Sequence, residues 1–374
     1  MIKEILSFKD YDRFVLSITV FLLLWSVINI YSASFHEFSN LYIKQIVFVS
    51  ISLLIILFLP KFMDYRKILE ISLFLYIIGV VLLILVKIFG TTILGAKRWI
   101  NLGFFQLQPS EIMKVIVILT TSHFLSRLEL PLSLKGFFKI MFLVGIPFVL
   151  IKTQPDLGSA ILILLPVLFM VFFAGFKSKY ILILNTIVLI SLPIVWHFLE
   201  DYQKNRIIAF FNPDAYSKEF AYQIIQSIIA VGSGQLTGKG FLEGSQSKYY
   251  FLPEQHTDFI FATIGEEWGF VVSAGLVLVY FFLSLKILYT GYRLTDIGGK
   301  FICYGIGSLI GSQAFINIAM NIGLFPVVGV PLPFLSYGGT ALIVFSTMIA
   351  IYQNIYFLDK KNKFKLSHSE VEKY

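Results

Sequence analysis

Ten long apolar runs constrain this 374-residue chain more than any other feature of its sequence. About 20 apolar residues are enough to cross a bilayer as a helix, and a helix pairs its own backbone groups where no water is available. Hydrophobic residues make up 57% of the chain and charged residues only 14%, too few charges to cover that apolar surface in water. The sequence therefore predicts an all-α, polytopic membrane protein with about ten transmembrane helices, at 14–33, 43–60, 69–89, 111–126, 137–151, 158–176, 180–198, 266–288, 301–324 and 338–358.

Lysine and arginine set the expected orientation of these helices. Nineteen of the 30 basic residues lie in short segments on one side of the ten runs, and segments rich in such residues are cytoplasmic. Both chain ends fall on that side, so residues 1–13 and 359–374 are expected to be cytoplasmic tails. The net charge of +8 is mainly this orientation signal, and we expect no nucleic-acid partner.

The long connections lie on the opposite, outer side, at 90–110, 199–265 and 325–340. Connections longer than about 15 residues are usually functional or disordered, and these are rich in aromatic residues, glycine and proline, which argues against disorder. We expect a single membrane domain over residues 1–374, with its large extracytoplasmic loop at 199–265, between helices 7 and 8. Any chemistry is expected at the outer face.

Charged side chains at the outer ends of the spans are candidate functional groups, since charges are costly there. Glu111 and Lys114 lie one turn apart at the start of the fourth span. They either stabilise the helix start as an i,i+3 pair or contact a substrate. Lys152 and Asp156 flank Pro155, and because proline breaks a helix, these two need not pair along a regular one.

The long outer loop contains an amphipathic segment followed by a glycine-rich one. Residues 221–230 place isoleucines on one face and polar side chains on the other, which predicts a helix lying in the membrane interface. Four glycines follow between 232 and 240, with Lys239 among them. This stretch is either a flexible turn or a set of backbone N–H groups that could hold a phosphate. It lacks the strand and the Gly-Lys-Ser/Thr ending of a nucleotide-binding loop.

Asp258 lies between a polar stretch and an apolar helix start. Partial desolvation there would raise the pKa of its carboxyl toward that of a general base. The alternative is a helix N-cap, a role that suits both Thr257 and Asp258. His256 alone does not make a metal site, because no second His or Cys stands at ligand spacing.

The last outer turn, 323–340, holds three prolines and four glycines. Such irregular backbone at membrane depth must be covered by protein or line a cavity. Asn317 and Asn321 share one face of the preceding helix, where they either bond another helix or contact a substrate.

Several spaced motifs resemble those of the SEDS family, to which RodA, FtsW and SpoVE belong. The last turn matches the family signature, including Ser336-Tyr337-Gly338-Gly339-Thr340. The RodA members are the most similar, on residues 327–333 and 244–247 and on the short tails. The other matching stretches are 95–100, 108–111 with Lys114, 154–158, and 226–269 with His256-Thr257-Asp258-Phe259.

The resemblance implies a peptidoglycan glycosyltransferase that polymerises lipid II for cell elongation and shape, inverting the sugar linkage and releasing undecaprenyl pyrophosphate. Carried over by motif, Asp258 is the essential carboxylate, which we assign as general base. A divalent cation, Mg²⁺ or Mn²⁺, is also expected at the pyrophosphate, with its ligands left open and no organic cofactor. The candidate substrate-binding residues are Arg98, Lys114 and Lys152 as cations for the pyrophosphate, together with Asp156, Glu111, Lys239, His256 and Ser336.

The resemblance also implies partners and a location. A class B penicillin-binding protein, which is a transpeptidase, is the expected partner, beside lipid II, the lipid bilayer and membrane proteins of the elongation complex. The expected location is the bacterial cytoplasmic membrane, with the active site on the extracytoplasmic face. The alternatives are a division or sporulation paralogue of the FtsW or SpoVE type, a lipid II flippase or other transporter, and a scaffold that only recruits the cross-linking enzyme.

Overall fold

The computed structural model describes residues 10–35, 40–93, 96–103, 105–197, 199–212, 221–249 and 251–371. The chain forms a helix bundle whose longest connections gather at one end. The helices in chain order are α1 (Arg13–Ser34), α2 (Leu41–Phe62), α3 (Tyr65–Glu70), α4 (Ser72–Phe89), α5 (Pro109–Arg127), α6 (Leu134–Lys152), α7 (Leu157–Phe173), α8 (Ser178–His197), α9 (Asp201–Phe211), α10 (Tyr222–Ser233), α11 (Ser245–Lys248), α12 (Ile260–Arg293), α13 (Ile297–Asn321) and α14 (Gly339–Val371).

The helices confirm the predicted class of polytopic membrane protein. Every predicted span overlaps one of them. In the described part of the chain, seven are long and apolar enough to cross a membrane: α1, α2, α4, α6, α12, α13 and residues 339–363 of α14. The apolar α7 is shorter, with 17 residues, so the number of ten spans stays a prediction.

The long outer loop is shorter than the predicted 199–265, because α12 already begins at Ile260. The first part of α12 is separated from the rest of the helix by a break at Gly269, whose φ of 74° is left-handed. Glycine adopts that conformation without the clash that a Cβ would cause. The predicted span 266–288 covers mainly the part of α12 that follows this break and omits its first six residues.

Helix α13 lies at the centre of the bundle and packs against α12, α7 and α5. It is buried along most of its length, and its glycines permit close approach. A Cβ on Gly305 would come within 2.4 Å of the Ile118 side chain of α5. In contrast, α2 packs against α1 and α14 and leaves many apolar side chains exposed, as expected of a helix that faces lipid.

A small sheet, absent from the all-α prediction, lies between α4 and α5. Strands β1 (Thr91–Ile93), β2 (Ala96–Asn101) and β3 (Gln106–Leu107) pair in that order and antiparallel. The sheet lies at the end of the bundle where α5, α12 and α14 begin. That end is called the site end below.

The glycine-rich segment after α10 fills the break in α12. The backbone amides of Lys239 and Gly240 donate to the carbonyls of Glu266 and Glu267, each at 3.0 Å. In return, the first two amides after Gly269 donate to loop carbonyls at 2.8 and 3.2 Å. These bonds pair backbone groups that the break leaves without helical partners.

Candidate active site

A cavity of about 570 Å³ opens at the site end. Its walls come from α2, β2, the starts of α5 and α14, the segment before α12 and the turn before α14. The lining side chains that carry an ammonium, guanidinium, carboxyl or imidazole group are Lys44, Arg98, Glu111, Glu254, His256 and Asp258. Four of these six are candidates from the sequence, so the fold brings them together.

The backbone of Asp258 is held by two amides of α13. Its carbonyl oxygen accepts hydrogen bonds from Nδ2 of Asn317 at 2.9 Å and from Nδ2 of Asn321 at 3.0 Å. Both asparagines are fully buried. The N-cap of α12 is Phe259, without a capping side chain, so the capping role considered for Asp258 and Thr257 is not found. The carboxylate remains free to face the cavity.

The turn before α14 fixes the same segment from its other side. Ser336 Oγ donates to the Thr257 carbonyl at 2.6 Å and accepts from the Leu332 amide at 2.7 Å. The Tyr337 amide donates to the His256 carbonyl at 2.8 Å. Both of these hydrogen bonds of Ser336 have a backbone group as the partner, and Ser336 does not line the cavity. Ser336 therefore supports the backbone that carries Asp258 and does not face the cavity.

The electrostatic surroundings raise the pKa of Asp258 to about 6. Burial is the largest cause, because it disfavours the charged carboxylate, and the negative charge of Glu254 adds to it. The cations Arg98 and Arg206 act in the opposite direction. A carboxyl with this pKa is deprotonated at neutral pH but keeps more proton affinity than an exposed aspartate, which suits a general base.

Arg98 is held at the cavity wall by contacts on two sides. Its guanidinium carbon lies 4.5 Å from the centre of the Trp99 ring, and Nη1 is 3.5 Å from Asp156 Oδ2. Asp156 is itself the N-cap of α7, since its Oδ1 accepts from the Ser159 amide at 3.0 Å. Asp156 therefore orients Arg98 and does not itself line the cavity.

Glu111 and Lys114 form a buried ion pair beside the cavity. Their side chains are 2% and 1% exposed, and Nζ lies 2.7 Å from Oε1. Lys114 also donates to Gln313 Oε1 at 3.0 Å, so the pair links α5 to α13 as well as spanning one helical turn. Glu111 lines the cavity, whereas Lys114 lies behind it.

Comparison with known proteins decides the family. A family model described as a cell cycle protein, covering FtsW, RodA and SpoVE, matches residues 13–361. The chain belongs to this family, the SEDS proteins. The peptidoglycan glycosyltransferase MrdB of Escherichia coli K12 is 42% identical over 284 residues, which are 76% of this chain and 77% of MrdB. A probable peptidoglycan glycosyltransferase FtsW of Geobacter sp. strain M18 is 35% identical over 360 residues, 93% of this chain and 97% of the relative.

The SEDS fold is also seen in solved structures. A chain from a peptidoglycan synthase complex, studied for its coordination of polymerization and crosslinking, has a TM-score of 0.81 and 26% identity. The match covers 92% of this chain and 97% of that chain. The expected family and fold are thus confirmed. Both MrdB and FtsW are among the relatives, so family membership alone does not assign an elongation or a division role.

Two predicted substrate-binding cations of this SEDS protein lie away from the cavity. Lys152 is in the last turn of α6 and is not a lining residue. Lys239 Nζ binds the buried Glu266 carboxylate at 2.6 Å and Ser245 Oγ at 2.8 Å. A substrate role for either residue stays a prediction without support from this arrangement.

Two of the glycines around Lys239, Gly234 and Gly238, pack against the backbone of α12, and the segment does not form a phosphate cradle. The Lys239 and Gly240 amides already donate hydrogen bonds to backbone carbonyls of α12, as described above. A Cβ on Gly238 would lie 2.1 Å from the Glu267 carbonyl oxygen. Glycine is needed at these two positions because the loop backbone touches the helix backbone there.

Three charged residues near Asp258 were missed in the sequence. Lys44 stands at the outer end of the second predicted span, where its charge is the available signal. Glu254 precedes Asp258 by four residues in the same polar stretch. Arg206, on α9, donates from Nη1 to the Val327 carbonyl at 3.1 Å, and no local pattern indicates its approach to the site.

A divalent cation is compatible with this SEDS cavity but stays a prediction. The described residues contain no group of three or more His, Cys, Asp or Glu side chains that could hold a metal. Asp258 and Glu254 are two carboxylates close enough to repel each other. Mg²⁺ is commonly held by one or two carboxylates together with substrate phosphates and water, so Glu254, which lines the cavity near Asp258, fits such an ion when a pyrophosphate is bound.

Proposed function

We propose that this SEDS protein is a peptidoglycan glycosyltransferase that polymerises lipid II into glycan strands. The observation that carries the proposal is a carboxyl of raised pKa, Asp258, in the same cavity as the oriented guanidinium of Arg98. Relatives that are 35–42% identical bear the name of this activity. Glycosyl transfer from a pyrophosphate needs a base for the attacking hydroxyl and positive charge for the leaving group.

In the reaction, Asp258 takes the proton of the sugar 4-hydroxyl of one lipid II. The oxygen attacks the anomeric carbon of the growing chain and forms the new glycosidic bond. The bond between that carbon and the pyrophosphate oxygen breaks with its electron pair, and undecaprenyl pyrophosphate leaves. Attack from the opposite face inverts the linkage from α to β.

The cavity supplies charge to both ends of this displacement. Arg98, fixed by Trp99 and Asp156, offsets the charge that grows on the leaving pyrophosphate. A divalent cation held by Glu254 together with the pyrophosphate oxygens would add positive charge there and would leave Asp258 free as the base. Asn317 and Asn321 keep the Asp258 backbone in place, so the base needs little reorganisation as the proton moves.

The proposed setting is the bacterial cytoplasmic membrane, with both termini cytoplasmic and the cavity on the extracytoplasmic face. The distribution of Lys and Arg supports this orientation. The proposed partner is a class B penicillin-binding protein, in keeping with a similar chain from a complex of polymerization and crosslinking. The RodA-like motifs of this chain favour a role in elongation. Depletion of the protein should then give rounded cells, and filaments would contradict that assignment.

Glycan polymerisation by the purified full-length protein tests the activity, using labelled lipid II with and without the partner transpeptidase. Wild type should form polymer. Asp258→Asn should form none while keeping its thermal midpoint and its partner binding. Asp201→Asn, which removes an exposed carboxylate at the start of α9, is the matched control and should polymerise normally.

The outcomes separate the alternatives. Equal polymer from wild type and Asp258→Asn would remove the base assignment. No polymer from wild type with its partner present would refute the enzyme, and lipid II translocation in vesicles would then identify a flippase. Partner binding with neither activity would indicate a scaffold.

A further inference from the structure

Lys44 stands where the cavity meets the lipid-facing surface of α2. It lies in the first helical turns of α2, and its exposed side chain lines the cavity together with Phe48, one turn further along. Within the described ranges, no carboxylate oxygen lies within 4.0 Å of its Nζ. The other lining guanidinium or ammonium group, Arg98, is paired with Asp156.

The surface beside Lys44 is built to face lipid. Ile43 is 46% exposed and Val47 51% exposed, and these residues flank Lys44 on the same turns of α2. Exposed apolar side chains continue down the helix through Leu54. Because a soluble surface would not carry such a stripe, this edge of the cavity borders the bilayer.

The cavity side of this edge is also apolar below the ammonium group. The rings of Phe48 and Phe105 lie 6.4 Å apart between centroids in an edge-to-face arrangement, and both line the cavity. The edge therefore presents the Lys44 ammonium group at the start of α2 and, deeper along the helix, the ring of Phe48 with that of Phe105 beside it. That order matches a lipid-linked phosphate, whose charged group lies at the interface and whose first isoprene units lie deeper.

We propose that Lys44 binds the phosphate of a polyprenyl pyrophosphate-linked sugar as it enters the cavity laterally from the bilayer, past the start of α2. This inference rests on the proposed function and adds the entrance and its binding residue. A lysine ammonium acts as a point charge on a flexible stem, so it can follow a phosphate that moves from the membrane interface toward Arg98. Ordinary phospholipid headgroups share the same phosphate chemistry, and the experiment separates the two sources.

Binding is measured with full-length protein in nanodiscs of neutral phosphatidylcholine, using labelled undecaprenyl pyrophosphate and lipid II as probes. One charge-assisted hydrogen bond at a partly exposed site corresponds to roughly tenfold in affinity. Lys44→Gln should bind both probes about tenfold more weakly, and Lys44→Arg should restore most of the affinity. Lys248→Gln, at an exposed position outside the cavity, is the matched control and should bind as wild type does.

Kinetics and a competitor lipid complete the test. In polymerisation assays Lys44→Gln should raise KM for lipid II with kcat within about twofold, since Lys44 acts before the chemical step. Undecaprenol, which has no phosphate, should bind wild type and Lys44→Gln equally. Because Lys44 is exposed, its replacement should leave the thermal midpoint unchanged.

Equal binding of the pyrophosphate probe by wild type and Lys44→Gln would overturn the proposal. It would also fall if phosphatidylglycerol abolished the difference, because Lys44 would then serve bulk headgroups. Failure of this inference is distinct from failure of the proposed function: in the first case wild type polymerises lipid II and only the Lys44 effect is missing. In the second, wild type makes no polymer at all.

Discussion

Replacing Asn321 by alanine should separate positioning of the base from stability of the bundle. Asn321 Nδ2 donates to the carbonyls of Asp258 at 3.0 Å and Asn317 at 2.8 Å, and its Oδ1 accepts from the Ala262 amide at 3.1 Å. Alanine loses these three bonds in a fully buried place, together with two longer ones of 3.4 Å that join Asn321 to Ser227 Oγ and Asn317 Oδ1. The segment that carries the base is then held from α13 by the Asn317 amide alone.

The structure provides a control of equal size at the opposite end of the bundle. Asn354 Nδ2 donates to the carbonyls of Pro60 at 2.8 Å and Met63 at 2.7 Å, and its Oδ1 accepts from the Tyr65 amide at 3.0 Å. Buried hydrogen bonds contribute about 1 kcal/mol each. Asn321→Ala and Asn354→Ala should therefore each lose about 3 kcal/mol of stability.

Only Asn321→Ala should lose catalysis. A displacement of about 1 Å at a reacting group can lower the rate about 100-fold, so we expect a fall of that order in kcat per folded molecule. Asn354→Ala should stay within about threefold of wild type. The assay is polymerisation of labelled lipid II below the thermal midpoint of both variants, normalised to folded protein by size-exclusion chromatography.

Two results would refute this reasoning. If both variants kept wild-type kcat, the asparagine would contribute to packing without positioning Asp258. If both lost activity equally, the loss would follow from general destabilisation. Asn321→Asp keeps the acceptor for the Ala262 amide but loses the amide donors, so it should share the kcat defect of Asn321→Ala.

Two further predictions concern the pH dependence and the helix break. Because Asp258 must be deprotonated to act, with a pKa raised to about 6, initial polymerisation rates should rise through that pH and then level off. Arg206→Gln, by removing a cation that lowers this pKa, should move the rise to higher pH, and a rise that stayed in place or moved to lower pH would contradict the electrostatic account. Gly238→Ala should lose roughly 2–4 kcal/mol, because its Cβ would lie 2.1 Å from a carbonyl oxygen at a φ of 83°. Gly232→Ala, with nothing within 4 Å, should match wild type or exceed it by up to about 1 kcal/mol in α10, and equal thermal midpoints for the two variants would contradict the packing role.

The glycine-rich loop shows why one part of the site could not be read locally. Its spacing suggested either a flexible turn or a phosphate cradle, because glycine supplies conformational freedom in both. The carbonyls that receive its amides belong to Glu266 and Glu267, more than 20 residues along the chain. Only the close approach of the loop backbone to the helix backbone explains why glycine stands at Gly234 and Gly238.

The sequence by itself determined the membrane class, the approximate positions of the long apolar helices and the candidate base Asp258. Those conclusions depend on the length of apolar runs and on local motifs, which a bilayer constrains strongly because it leaves backbone groups no other partners. The tertiary structure alone decided which charges share the cavity: Lys44 and Glu254 line it, while Lys152 and Lys239 lie elsewhere. The physical reason is that a charge near a membrane boundary is equally costly at any point around the bundle. Its neighbours on other helices, and not its place in the sequence, determine whether it stabilises the fold or faces a substrate.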